Sequence, residues 1–237
     1  MKNLYIFDVD GVLTERSMPI EPTFKKWFIN WANQDNVEIC YNTGSNREKT
    51  EKQIGKDMLD LAPISFHCLG NSIWINGNET VINEFQLTHD EILWLENQVN
   101  ISKFQTKTGN HIEVRKGSVN FSIVGRNANM EERLLYKKYD QQTHERLDII
   151  KRFIETFTHY DAFIGGDISI DICIRGAHKG LSISLINPYA YEKVYAFGDK
   201  YTQYGVDYPF AIYYPKNYKF IPIDNGYSET FTTIKKL

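Results

Sequence analysis

The strongest constraint on the fold lies in how the apolar runs of this 237-residue chain end. The run Leu4-Tyr5-Ile6-Phe7 passes into Asp8-Val9-Asp10-Gly11, and Val37-Glu38-Ile39-Cys40-Tyr41 passes into Asn42-Thr43-Gly44-Ser45-Asn46. The run Val194-Tyr195-Ala196-Phe197-Gly198 meets Asp199. Short, almost continuously apolar runs are the mark of strands buried in a parallel sheet. Between the first two, PTFKKWFINWANQ spaces Phe24, Trp27, Phe28 and Trp31 as a helix does, and REKTEKQIGKDM after the second reads as a polar helix. Strand, helix, strand, helix in that order implies right-handed crossovers and a parallel sheet. Ligands of such sheets bind at the carboxyl ends of the strands, where Asp8, Asp10 and Thr43 fall.

The middle of the chain follows another rule. HIEVRKGSVNFSIVGR reads as a hairpin turning at Lys116-Gly117, and MEERLLYKKYDQQTHERLDIIKRFIETF is helical throughout. DISIDICI alternates strictly, as a half-buried antiparallel strand does. After Lys179 the earlier pattern resumes with a helix in KGLSISLI and a strand in EKVYAFGD. The expected fold is α/β: a Rossmann-like parallel-sheet core formed by 1–79 and 178–237, with an α+β cap, 80–177, inserted into it. Within the cap, Ile168, Ile170 and Ile172 face one way, and Asp167, Ser169 and Asp171 the other. Glu113, Arg115, Asn120 and Ser122 share the polar side of the hairpin. That polar face suits a hydroxyl-rich ligand and equally suits a solvated sheet surface.

Composition excludes several functions. A net charge of -3 leaves no footprint for nucleic acid, and no basic run marks a membrane surface. No apolar segment reaches membrane-spanning length. Cys40, Cys68 and Cys173 each lie in an apolar stretch, the usage of buried, reduced thiols in a cytoplasmic protein.

Two carboxylates with one residue between them repel unless something positive compensates. A divalent cation does so, most suitably Mg²⁺, which takes oxygen ligands and tolerates phosphate beside it. It would also allow Asp8 to attack a phosphorus atom whose oxygens are negative, giving an aspartyl phosphate. Asp10 would then act as acid to the leaving oxygen and base to the incoming one. Thr43, with Gly44 and Ser45, can donate hydrogen bonds to a phosphoryl oxygen, and Lys179 can neutralise developing charge. Asp199 and Asp207 can complete the metal site. The plainer alternative makes the aspartates turn or cap residues and Lys179 a surface lysine.

The order DxDG, Thr, Lys, GD…D resembles the haloacid dehalogenase superfamily. Within it the chain is similar to the eukaryotic-type phosphomannomutases, with a C2b-type cap, nearly end to end. The stretches that carry this are GNHIEVRKGSVNFSIVGRNANMEER, GGDISIDICIRGAHKG and GDKYTQYGVDY. The resemblance implies that Asp8 is the phosphorylated nucleophile and Asp10 the acid/base. It implies Mg²⁺ held by Asp8, the backbone carbonyl of Asp10, and Asp199. It assigns Arg115, Arg126 and Arg133 of the cap to the sugar and distal phosphate, Ser169 and Asp171 to the sugar, and Arg16 to the core side of the substrate. It further implies a hexose phosphate substrate, a hexose 1,6-bisphosphate activator and a homodimer joined through the cap. Two departures stand out: Val12 follows Asp10-Gly11, and the family's Gly-Gly-Asn-Asp reads Tyr204-Gly205-Val206-Asp207.

The leading expectation is a mutase interconverting mannose 6-phosphate and mannose 1-phosphate. The alternatives are a Mg-dependent sugar-phosphate phosphatase with the same nucleophile and a sugar-phosphate-binding protein without activity. Arginine forks grip phosphate bidentately, and a simple phosphatase has no need of three of them in its cap.

Overall fold

The computed structural model describes residues 1–81, 86–212 and 215–237. The first strand, β1 (Asn3–Phe7), is buried along nearly all its length and lies inside a seven-stranded sheet, third from one edge. Helix α1 (Pro22–Ala32) begins where Glu21 accepts hydrogen bonds from the Thr23 and Phe24 amides, with Pro22 in the first turn. Its spacing turns Phe24, Phe28 and Trp31 onto the sheet, while Trp27 is only partly buried and packs edge-on to Phe231. Each such buried aromatic contributes about 1.5–3 kcal/mol.

Strand β2 (Val37–Asn42) pairs parallel with β1. The polar helix that follows is interrupted at Gly55, giving α2 (Arg47–Ile54) and α3 (Lys56–Leu59) rather than one continuous element. Then come β3 (Ile64–His67), parallel to β2, and a hairpin of β4 (Ser72–Ile75) and β5 (Asn78–Val81) that extends the sheet antiparallel.

From here the chain builds the second sheet. Helix α4 (His89–Ile101) starts in a capping box between Thr88 and Glu91. The hairpin β6 (Ile112–Arg115) and β7 (Ser118–Phe121) turns at Lys116-Gly117 as expected. The long helical stretch breaks at His144, whose left-handed backbone separates α5 (Met130–Thr143) from α6 (Glu145–Thr156). Strands β8 (Tyr160–Ile164) and β9 (Ile170–Ile174) complete an antiparallel sheet of order β6-β7-β9-β8. Val119, Phe121, Ile170 and Ile172 form one face of it with buried residues of the three helices, including Leu95, Tyr136 and Phe153.

The chain returns through α7 (Lys179–Leu185), β10 (Val194–Gly198), α8 (Tyr208–Ala211), β11 (Tyr218–Pro222) and α9 (Gly226–Ile234). Strand β10 pairs with β1 on the side opposite β2, so the sheet order is β11-β10-β1-β2-β3-β4-β5. Strand order therefore reverses at β1, and the crevice outside its carboxyl end is where such sheets bind ligands. The fold is the expected α/β architecture, a mixed sheet with five parallel strands beside an antiparallel cap sheet. All three cysteines are buried thiols. Among the described residues no helix is long and apolar enough to cross a membrane.

Candidate active site

One cleft of about 180 Å³ lies between the carboxyl ends of the core strands and the polar face of the cap sheet. Asp8, Asp10, Thr43, Gly44, Ser45, Lys179 and Asp199 line it from the core, together with Arg16. Arg115, Arg126, Arg133, Ser169 and Asp171 line it from the cap. Lysines and arginines outnumber aspartates along its wall. Of the residues expected at the site, Asp207 alone is not part of this lining.

Asp8 leaves β1 into a buried position. Its Oδ1 accepts from the Val9 amide at 2.8 Å and lies 3.0 Å from Lys179 Nζ. Burial pushes its pKa up to about 6, against the pull of Lys179. Lys179 opens α7 at 1% exposure, and its ammonium also donates to Asp207 Oδ1 at 2.7 Å. Burial disfavours that charge, but Asp207 and Asp8 outweigh it and raise its pKa. The helix start is fixed from across the sheet: Asn42 Nδ2 at the end of β2 donates to Lys179 O and to Ser182 Oγ. His178 caps the same helix, its ring accepting from the Gly180 amide.

Asp10 goes elsewhere. Because β1 ends at Phe7, the two-residue alternation of a strand does not carry through to position 10. Its carboxylate pairs with Lys49 of α2 at 2.5 Å, and accepts from Gln53 at 2.8 Å and the Ser17 amide at 2.7 Å. Burial opposes this charge, yet Lys49 and these donors hold the pKa at about 2. The positive partner of Asp10 is thus Lys49, a residue the sequence reading passed over within a polar helix.

Asp8, Asp199 and Asp207 can each present an oxygen within 4.8 Å of the others, a donor set that fits a hard divalent cation. The Asp10 carboxylate is not part of that group. Asp207 is fully buried: one oxygen takes Lys179 and the other takes the amides of Asp199 and Lys200. It holds the loop and the lysine in place. Arg16 bonds Asp199 and lies 3.6 Å from Asp167 of the cap. Gly11 sits beneath this contact at φ +84°, where a Cβ would stand 2.8 Å from Asp199 Oδ2.

On the cap, Glu113 arranges two arginines. It takes Arg115 through both carboxylate oxygens and accepts from Arg126 Nε at 2.8 Å. Arg115 also reaches Gly44 O across the cleft at 3.2 Å. Arg133 is tied to the carbonyls of Ala128 and Arg126. Burial and the adjacent Arg126 guanidinium push its pKa down, a repulsion that a bound anion would relieve. Burial likewise lowers Lys200 to about 8, with Arg16 adding to the effect. Asn120, 2% exposed, donates to Asp171 at 2.6 Å, and its Oδ1 has no hydrogen-bond partner among the described residues.

A family model described as eukaryotic phosphomannomutase matches residues 26–219. The chain belongs to that family. A phosphomannomutase of Schizosaccharomyces pombe is 29% identical over 224 residues, covering 87% of this chain and 84% of its own. One from Encephalitozoon cuniculi is 28% identical over 247 residues, covering 100% of this chain and 95% of its own, so its alignment includes the Asp8–Asp10 stretch. Among solved structures, Thermoplasma acidophilum 0175 superposes with a TM-score of 0.59 at 17% identity, covering 100% of this chain and 97% of that one. An IMP-nucleotidase of Plasmodium falciparum gives 0.62 at 13% identity, covering 100% of this chain and 68% of that one. These two likenesses concern the fold alone.

Proposed function

We propose that this chain is a phosphomannomutase, interconverting mannose 6-phosphate and mannose 1-phosphate through a phosphorylated Asp8 and a hexose bisphosphate. The observation that carries this reading is the pair of cationic clusters in one cleft. Lys179 stands beside Asp8 on the core, and Arg126 and Arg133 crowd each other on the cap. A substrate with one phosphate needs the first cluster, and a bisphosphate that re-enters in either orientation needs both.

Asp8 Oδ1 is engaged by Lys179 and the Val9 amide, which leaves Oδ2 as the attacking atom. Thr43, with Gly44 and Ser45 beside it in the cleft wall, serves the phosphoryl oxygens, and Lys179 offsets the charge that builds on them. Asp10, kept anionic by Lys49, accepts the proton of the sugar hydroxyl that takes the phosphoryl group from Asp8. In the opposite step it returns that proton. Mg²⁺, held by Asp8, Asp199 and the Asp10 carbonyl, would supply the positive charge that lets a carboxylate approach a phosphoryl anion. Ser169, Asp171 and the unpartnered Asn120 Oδ1 meet the sugar hydroxyls, and Arg16 meets the substrate from the core side. A hexose 1,6-bisphosphate primes Asp8. The protein works in the cytoplasm as a dimer, an arrangement favoured by exposed apolar cap residues such as Leu93, Ile101 and Leu135.

The test is phosphorus NMR on protein supplied with mannose 1-phosphate, Mg²⁺ and a trace of glucose 1,6-bisphosphate. Mannose 6-phosphate is expected, with little inorganic phosphate. Inorganic phosphate as the main product would replace the mutase by a phosphatase, and no reaction in folded protein would replace both by a binding protein.

A further inference from the structure

The cap also places in the cleft an acid for which the proposed chemistry has no task. Asp167 lies in the turn between β8 and β9 and lines the cleft among cations. Its Oδ1 is 3.0 Å from Lys137 Nζ and 3.6 Å from Arg16 Nε. Lys137 follows Arg133 by four residues on α5, so the two share a helix face and line the cleft together. Lys200 lines it from the core. Burial works against a charge on Asp167, yet Arg16, Lys137 and Lys200 together hold its pKa below the usual carboxylate range. The result is a negative charge standing inside a cleft suited to phosphates. Its backbone is pinned on both sides. The buried Arg146 guanidinium, held by Asp140 at 2.9 Å, donates to Gly166 O at 3.0 Å and to Ser169 O at 3.1 Å. The Gly165 amide donates to Ser169 O at 2.9 Å and closes the turn. Asp167 therefore cannot withdraw far when an anion arrives.

We propose that Asp167 limits how tightly the cleft holds the hexose bisphosphate, keeping it loose enough to leave and re-enter with its other phosphate at Asp8. The inference rests on the mutase reading above. Each phosphate monoester carries about −1.5 to −2 charges near neutral pH. The cationic clusters therefore attract the bisphosphate far more than either monophosphate, and without a counterweight it would be the slowest of the three to depart. Asp167 supplies the counterweight in two ways. Its charge repels a phosphate nearby, and its pairing with Lys137 and Arg16 competes for cations that a phosphate would otherwise use. Both effects grow with ligand charge, so they weaken the bisphosphate most. Changes of affinity of this kind appear mainly in the rate of release. Asp167 acts through Arg16 and Lys137 and not on the reacting atoms at Asp8.

The experiment is calorimetric titration of glucose 1,6-bisphosphate into D8N, D8N/D167N and D8N/K137M, all with Mg²⁺. The D8N background removes phosphoryl transfer, and the fitted stoichiometry counts only folded protein. D8N/D167N is expected to bind about tenfold tighter than D8N, with a smaller gain for mannose 1-phosphate and a gain that shrinks as salt is added. D8N/K137M is expected to bind about threefold more weakly. Equal or weaker binding in D8N/D167N would overturn the proposal, weaker binding making Asp167 an acceptor for a sugar hydroxyl. The second readout uses Asp8-intact protein. D167N is expected to reach half-maximal activation at less glucose 1,6-bisphosphate and to have a kcat about threefold lower, a combination that a merely structural loss would not give. A kcat at the wild-type value would overturn the link to release. Were the wild type to isomerise nothing, the mutase reading would fail, and the calorimetry would decide separately whether Asp167 limits anion affinity.

Discussion

Asp8 and Asp10 lie two residues apart, yet their environments push their titrations in opposite directions. Burial raises Asp8, whereas Lys49, Ser17 and Gln53 overcome burial at Asp10 and keep it ionised. Divergent environments for two carboxylates give them different tasks, one as nucleophile and one as proton carrier. Lys49 belongs to this division of labour, because its ammonium fixes the Asp10 carboxylate and also reaches Ser45 Oγ at 3.0 Å. Replacing it by an uncharged side chain of similar length leaves Asp10 without its main partner. The variant K49M is expected to lower kcat by about 10²-fold, the usual scale of a misplaced acid/base. KM for the sugar phosphate is expected to change far less, since Arg126 and Arg133 are untouched. Steady-state isomerisation rates check this. A KM effect as large as the kcat effect would move Lys49 into substrate binding. At this scale the sequence was legible where the chemistry is local, as in Asp8-Val9-Asp10-Gly11, and opaque where the partner is distant. Lys49 within REKTEKQI reads as a solvated lysine, and Glu113 in IEVR reads as one more polar residue. Only the tertiary fold brings them to Asp10 and to the two arginines.

Elements decide how tightly these groups can approach. The turn after β1 is the clearest case, because Gly11 combines positive φ with the Asp199 carboxylate directly over it. An added methyl both strains the backbone and collides with a proposed metal ligand. The variant G11A is therefore expected to weaken Mg²⁺ binding by about 10–100-fold, the range seen when a ligand's support is disturbed. Titration calorimetry on the unphosphorylated protein measures it without turnover, and unchanged affinity would release Asp199 from the metal site. The parallel strands β1, β2 and β10 were readable because continuous apolar runs have few other uses. The hairpin β4–β5 was missed although its signal is present. Asn76-Gly77 separates two short strands and both residues hold positive φ, as a two-residue hairpin turn demands. The break between α5 and α6 has no comparable sequence mark: the helical pattern runs on through His144. There the buried Asp140–Arg146 pair spans the interruption, with Arg146 donating to the carbonyls of Gly166 and Ser169 in the loop between β8 and β9.

At the scale of the molecule, the cap and core meet through contacts of several kinds. Arg16 reaches Asp167, Arg115 reaches Gly44, and an apolar seam runs from Leu69 to Phe163. The wall of β3 behind that seam holds a buried histidine, which makes stability a function of pH. His67 is fully buried, its ring nitrogens placed near Ser65 Oγ at 3.1 Å and Thr50 Oγ1 at 3.4 Å. Burial, with Arg47 nearby, lowers its pKa from 6.5 to about 3. Between those values the unfolded chain binds a proton that the native state refuses. The native state is therefore favoured fully above pH 6.5 and loses stability as acid rises, by about 1.4 kcal/mol per pH unit, until pH approaches 3. The variant H67Q keeps a polar group for Ser65 and Thr50 but removes this linkage. Urea unfolding at pH 8, 6 and 5 is expected to show the wild type losing more stability than H67Q on both steps, most steeply per pH unit between pH 6 and 5, whatever their difference at pH 8. Subtracting the two curves cancels the shared contributions of Asp8 and the other carboxylates. Parallel curves would mean that His67 is already charged in the folded protein, balanced by a group on β5 such as Glu79, whose charge favours the protonated ring.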